Sequence, residues 1–100
     1  MTLYDITIDD IQEIADNPLI EKAAQRLVKK HGIVLDRIDE TQQVIDATVK
    51  TRTIHHHVRL SIVDDSLAAD CDCSYKGMGC EHIVATLIHW IEKMQSLPLK

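Results

Sequence analysis

A chain of 100 residues, 45% hydrophobic and 27% charged with 3 Gly and 2 Pro, holds one compact domain with a core, which excludes a second full domain and a disordered tail. No apolar run approaches the roughly 18 residues of a membrane span, and Met1-Thr2-Leu3-Tyr4-Asp5 lacks a basic-then-apolar signal region, so the expected compartment is the cytoplasm. A net charge of −5 excludes a uniformly basic nucleic-acid binder.

In chain order, Thr7 or Asp9 can cap a short helix through Ile11 and Ile14, and Asn17-Pro18 ends it. A second helix is predicted over residues 18–31, where Leu19, Ala23, Leu27 and Ile20, Ala24, Val28 recur at helical spacing and Gly32 stands at the C-cap. The period then changes to that of a strand: Ile33, Leu35 and Arg37 alternate with Val34, Asp36 and Ile38, and Asp39-Glu40-Thr41-Gln42 supplies a turn. Residues 43–52 form a second such run. The third is the clearest, with Val58, Leu60 and Ile62 alternating against Arg59 and Ser61. A turn at Asp64-Asp65-Ser66 leads through Leu67-Ala68-Ala69 to the cysteines. The last predicted element is a helix over Glu81–Gln95, with Ile83, Leu87, Ile91 and Met94 along one stripe and Trp90 in the core or at its rim.

These elements predict an α+β fold with N-terminal helices over residues 1–32, an antiparallel β-meander of three to four strands over 33–63, and a zinc-binding loop with a C-terminal helix over 64–96.

All three cysteines fall within ten positions, as Cys71-x-Cys73, six residues, then Cys80-x-His82. An odd cysteine count without a signal peptide argues against a disulfide framework. Three thiolates and one imidazole form a complete tetrahedral set for one structural Zn²⁺, with no position left for water or substrate. Cys71 and Cys73 project to one side of a strand and converge if its end bends. On a helix, residues two apart lie about 200° from each other, so Cys80 should precede the helix and His82 should sit in its first turn. There the helix dipole favours the thiolate. Gly77 and Gly79 let the loop fold back, and Asp70, Asp72 and Ser74 suit outer hydrogen bonds to the ligands. The segment after residue 63 is expected to depend on the ion for its order.

The Cys-x-Cys…Cys-x-His pattern, with apolar Ile83, Val84 and Ala85 after the histidine, resembles the SWIM zinc finger over residues 71–85. The helix, the Gly32-Ile33-Val34 turn and the later hairpin more loosely resemble segments that precede this finger in prokaryotic Swi/Snf-type helicases. The resemblance implies a zinc-binding module for DNA or protein interactions, within or beside a larger machine. Ser74-Tyr75 lacks the proline often found after the second cysteine. Glu81 stands where the family frequently has lysine, which removes a positive charge from the finger.

Two binding modes follow. Residues 25–62 carry seven bases against four acids, and Arg26, Lys29, Lys30, Lys50, Arg52 and Arg59 are candidate DNA contacts. Against this stand the overall negative charge and a total of only three aromatics, too few for a single-strand stacking platform. Docking to a protein, as an adaptor for a helicase or a recombinase-like ATPase, is therefore favoured over direct DNA binding. His55-His56-His57 reads as solvent-facing or polar packing residues on a strand start, where the middle one faces opposite its neighbours. His89 reads as a partly exposed surface residue. No phosphate-cradling loop or nucleophile–base pair is present, so no enzyme activity is expected.

Overall fold

The alternating runs between residues 33 and 71 form one four-stranded antiparallel sheet in the order β1-β2-β3-β4, in a computed structural model that describes residues 2–15, 18–30, 32–50, 55–72 and 80–95. The strands are β1 (Ile33–Asp39), β2 (Val44–Lys50), β3 (His55–Val63) and β4 (Ser66–Cys71). The helices are α1 (Ile8–Ile14), α2 (Pro18–Lys29) and α3 (Glu81–Gln95), after a short 3₁₀ turn at Leu3–Asp5. The described chain is thus α+β, and none of its helices is long and apolar enough to cross a membrane.

Local chemistry accounts for the element ends. Thr7 precedes α1, and Asp10 Oδ2 accepts the Thr7 backbone N–H at 2.8 Å. The β3–β4 hairpin turns on Asp64 and Asp65, with φ of 50° and 65°, the left-handed pair that a two-residue turn between twisted strands requires. Gly32 ends α2 by returning its N–H to the Leu27 carbonyl at 3.4 Å. Its φ is not positive; what demands glycine is the neighbouring strand. Its carbonyl accepts the Lys50 N–H at 2.6 Å, and a Cβ there would lie 2.6 Å from the Lys50 oxygen.

Strict alternation would have turned Arg37 toward the core with Ile33 and Leu35. A bulge between Leu35 and Arg37 changes the phase, pairing Arg37 with Asp46 and Ile38 with Ile45. Ile38 thereby joins the apolar face, and Arg37 turns to solvent. Asp36, left out of the pairing, accepts the Thr48 hydroxyl at 2.5 Å.

One sheet face is buried by Ile33, Ile45, Val49, Val58 and Leu60, and α3 lies on it, touching all four strands. Val84, Ala85 and Leu87 of α3 are fully buried. The other side of α3 receives α2 and α1, with Ala24 and Ile11 buried against it. The last third of the sequence therefore supplies the centre of the core. The N-terminus is tied across it: Trp90 donates its indole N–H to the Leu3 carbonyl at 2.8 Å, and the Leu3 N–H reaches Gln43 Oε1 at 2.7 Å. The Tyr4 hydroxyl donates to Glu40 in the β1–β2 turn.

Candidate metal centre

Three of the four sequence-predicted ligands are described, and they converge. Cys71 ends β4 and pairs with Val58, so it faces the same side as that buried valine. Cys80 stands immediately before α3, where its carbonyl accepts the Val84 N–H at 3.1 Å. His82 is the second residue of the helix. The two-residue spacing between them thus straddles a helix start, where their side chains can meet. Cys73 lies outside the described residues, as do Ser74, Gly77 and Gly79.

His82 Nδ1 lies 3.7 Å from Cys71 Sγ and 3.8 Å from Cys80 Sγ, and the three ligand atoms all lie within 4.8 Å of one another. Zn–S bonds of about 2.3 Å and a Zn–N bond of about 2.0–2.1 Å at tetrahedral angles put sulfur and nitrogen about 3.6 Å apart. The observed separations fit the edges of such a tetrahedron. These three residues can hold one metal ion, and the donor set, two thiolates with an imidazole, suits a borderline-soft cation.

The surroundings favour the ligating states. Cys80 is 4% exposed at the amino end of α3, where the helix dipole stabilises a thiolate. Burial first, and then the neighbouring His56, pushes the His82 imidazole below its ordinary value. Both effects favour the neutral imidazole, the form that a ligand needs. With Nδ1 toward the sulfurs, the outer nitrogen Nε2 lies 3.9 Å from Glu81 Oε1. A carboxylate hydrogen-bonded to the free nitrogen is the usual companion of a ligating histidine; Glu81 is near that nitrogen but beyond hydrogen-bond distance. The Thr86 hydroxyl, fully buried, donates to the His82 carbonyl at 2.8 Å and fixes the first turn.

His56 is the residue that the sequence reading left outside the site. Val58 and Leu60 face the core, so the same alternation turns His56 inward, opposite the exposed His55 and His57. Its ring centroid lies 4.1 Å from that of His82. The alternation was legible in the sequence; that this face of β3 meets the start of α3 was not. Asp72 Oδ1 lies 3.3 Å from His56 Nδ1. His89 is half-buried on α3.

The basic residues divide between two sides of the molecule. Arg26, Lys29 and Lys30 belong to α2 and its end, on the helical side. Arg59 projects from the opposite face of the sheet, where its Nε donates to Asp46 Oδ1 at 2.8 Å and Asp70 pairs across from it. The Asp46 carboxyl is held below its usual range, first by the Arg59 hydrogen bond. Lys50, at the end of β2, is brought beside the α2 terminus by its bond to Gly32. Arg52 lies outside the described residues.

No protein-family model matches the chain. Neither a curated protein nor a solved structure matches it significantly.

Proposed function

We propose that this chain is a structural-zinc interaction module of the SWIM kind, in which Cys71, Cys73, Cys80 and His82 enclose one Zn²⁺. The observation that carries the reading is the convergence of Cys71, Cys80 and His82 at tetrahedral edge distances. Cys73, two residues beyond Cys71, is the remaining thiolate and closes the set. Four protein ligands leave no open position, so the ion holds the β4 end against the α3 start and performs no catalysis. The chain itself is a non-enzymatic partner.

Its role is to dock a protein, within a DNA-processing machine such as a helicase. Exposed apolar side chains on the helical side support docking: Ile8 is 56% and Leu19 74% exposed, and a groove between the helices joins Ile8, Ile11, Val28 and Ile88 to a polar border of Glu21, Gln25, Lys29 and Glu92. Direct DNA binding through Arg26, Lys29, Lys30, Lys50, Arg52 and Arg59 has less support, because Arg59 is engaged by Asp46 and faces away from the α2 cations.

Metal analysis of the purified chain tests the first statement. One zinc per chain, lost in Cys73→Ser and in Cys80→Ser, is expected, and no bound zinc would overturn it. Titration of labelled duplex and single-stranded DNA at two salt concentrations tests the second. Absence of binding at micromolar protein is expected, whereas a steep salt dependence lost on replacing Lys29, Lys30 and Arg52 would establish the DNA reading instead.

A further inference from the structure

His56 and Asp72 together form an ordered arm beside the cysteine–histidine cluster. Asp72 is doubly anchored to β3: its Oδ1 accepts the His57 N–H at 3.0 Å, and its own N–H donates to the His57 carbonyl at 3.2 Å. This fixes the carboxylate one residue beyond Cys71 and places Oδ1 3.3 Å from His56 Nδ1. The His56 side chain is 19% exposed, while that of Asp72 is 57% exposed. The carboxylate thus holds His56 from the solvent side, and the ring is turned in upon His82.

The ring geometry separates two roles for His56. Two imidazoles bound to one tetrahedral ion radiate from it, which puts their centroids about 5 Å apart. The His56 and His82 centroids are 4.1 Å apart with planes inclined at 32°, which is a face contact between rings. Among the described residues, the ligand atoms that lie within 4.8 Å of one another are those of Cys71, Cys80 and His82, and no His56 nitrogen joins them. We infer that His56, clasped by Asp72, is a positioning residue of the metal centre: its ring lies on His82, keeps Nδ1 turned to the thiolates and screens that edge of the site from water.

This inference rests on the zinc reading above, and it concerns retention of the metal rather than the ligand set. His82 is approached at Nδ1 by the sulfurs and on its face by the His56 ring, while the Glu81 carboxylate, 3.9 Å from Nε2, is beyond hydrogen-bond reach. Removing the ring frees the His82 side chain to turn and opens a path for water or a chelator. Residues that orient a ligand in this way typically change metal affinity about 10–100-fold when replaced.

The test loads the full chain with one zinc and follows metal transfer to an excess of a chromophoric chelator. His56→Ala is expected to release zinc about 10–100-fold faster while still binding one ion per chain. Cobalt substitution provides the readout that a general loss of packing would not give: the visible ligand-field bands of the variant should match those of the wild type, because the ligands are unchanged. His56→Phe, which restores a ring on His82, should recover most of the slow release, and the surface substitution Asp72→Asn should speed it. Wild-type release from His56→Ala, release from His56→Phe as fast as from His56→Ala, or a cobalt spectrum that has lost a nitrogen donor would each overturn the inference. Should His56→Ala fail to fold, near-native release in His56→Phe with faster release in Asp72→Asn supports it, and wild-type release in Asp72→Asn overturns it. A wild-type chain that binds no zinc overturns the zinc reading itself, which the stoichiometry reports separately.

Discussion

The indole N–H of Trp90 donates to the backbone carbonyl of Leu3 at 2.8 Å, joining residues 87 positions apart inside the core. Both partners are buried, Trp90 at 3% exposure and Leu3 at 0%, and the Tyr4 ring lies 5.8 Å from the indole. The bond ties the segment before α1 to the helix that fills the centre of the molecule. Trp90→Phe keeps an aromatic ring and leaves the Leu3 carbonyl unpaired away from water, at a cost of about 1–3 kcal/mol. Urea unfolding followed by far-ultraviolet circular dichroism would check this; an unchanged midpoint would mean that the bond contributes nothing.

Metal removal should be felt by the whole domain. The candidate ligands sit at the start of α3, and α3 contacts every strand and both other helices. Apparent binding energies of about 10–16 kcal/mol for structural zinc in small fingers are comparable to the stability of an entire domain. A chelator, or Cys80→Ser, is therefore expected to lower the melting temperature in one cooperative transition and to shift Trp90 fluorescence toward that of exposed indole. Melting curves and emission spectra that ignore the chelator would contradict a structural ion.

Gly32→Ala tests the close approach at the α2–β1 junction. The new Cβ would stand 2.6 Å from the Lys50 carbonyl oxygen, a backbone atom that cannot move without disturbing the Lys50 N–H bond to the Gly32 carbonyl. Overpacking of this kind costs about 1–3 kcal/mol. Val34→Ala, on the exposed face of β1, serves as the control for strand propensity and should cost less in the same denaturant titration.

Acid should destabilise the fold through a small set of carboxylates. Asp46 is held low first by the Arg59 hydrogen bond, Asp72 first by the His57 backbone N–H, and Asp5 first by the Thr2 backbone N–H. A carboxyl whose value is lower in the folded than in the unfolded chain stabilises the fold at pH above its unfolded value of about 3.9. That contribution is lost as the pH falls below about 4 and through the depressed folded values. Asp46→Asn removes one of these groups, so its stability at neutral pH should fall while its dependence on pH below 4 flattens. Denaturation at pH 2.5, 4 and 7 measures both, and an unchanged pH slope would show that the Asp46–Arg59 pair is energetically silent.

Much of this protein could be read from local spacing. The helices, the turn at Asp64-Asp65, and the placement of Cys80 before a helix with His82 in its first turn follow from periodicity, capping chemistry and the 200° that separates residues two apart on a helix. Each depends on neighbours within a few residues, so the linear order of side chains carries the information. The cysteine and histidine inventory likewise marks a candidate metal site before any fold is known.

Other features were settled only when distant segments met. Strand alternation shows that His56 opposes His55 and His57, but the ring it rests on belongs to His82, 26 residues later. Arg59 looks like a free cation in the sequence and becomes the partner of Asp46 once β2 and β3 pair. Gly32 reads as a helix cap, yet its lack of a side chain answers to Lys50 on another strand. Arg37 would have followed Ile33 and Leu35 inward had pairing with β2 not placed a bulge before it. Side-chain period tells which residues share a face; strand register and helix packing decide what that face meets. Those are set by burial summed over the whole chain, which no window of sequence contains.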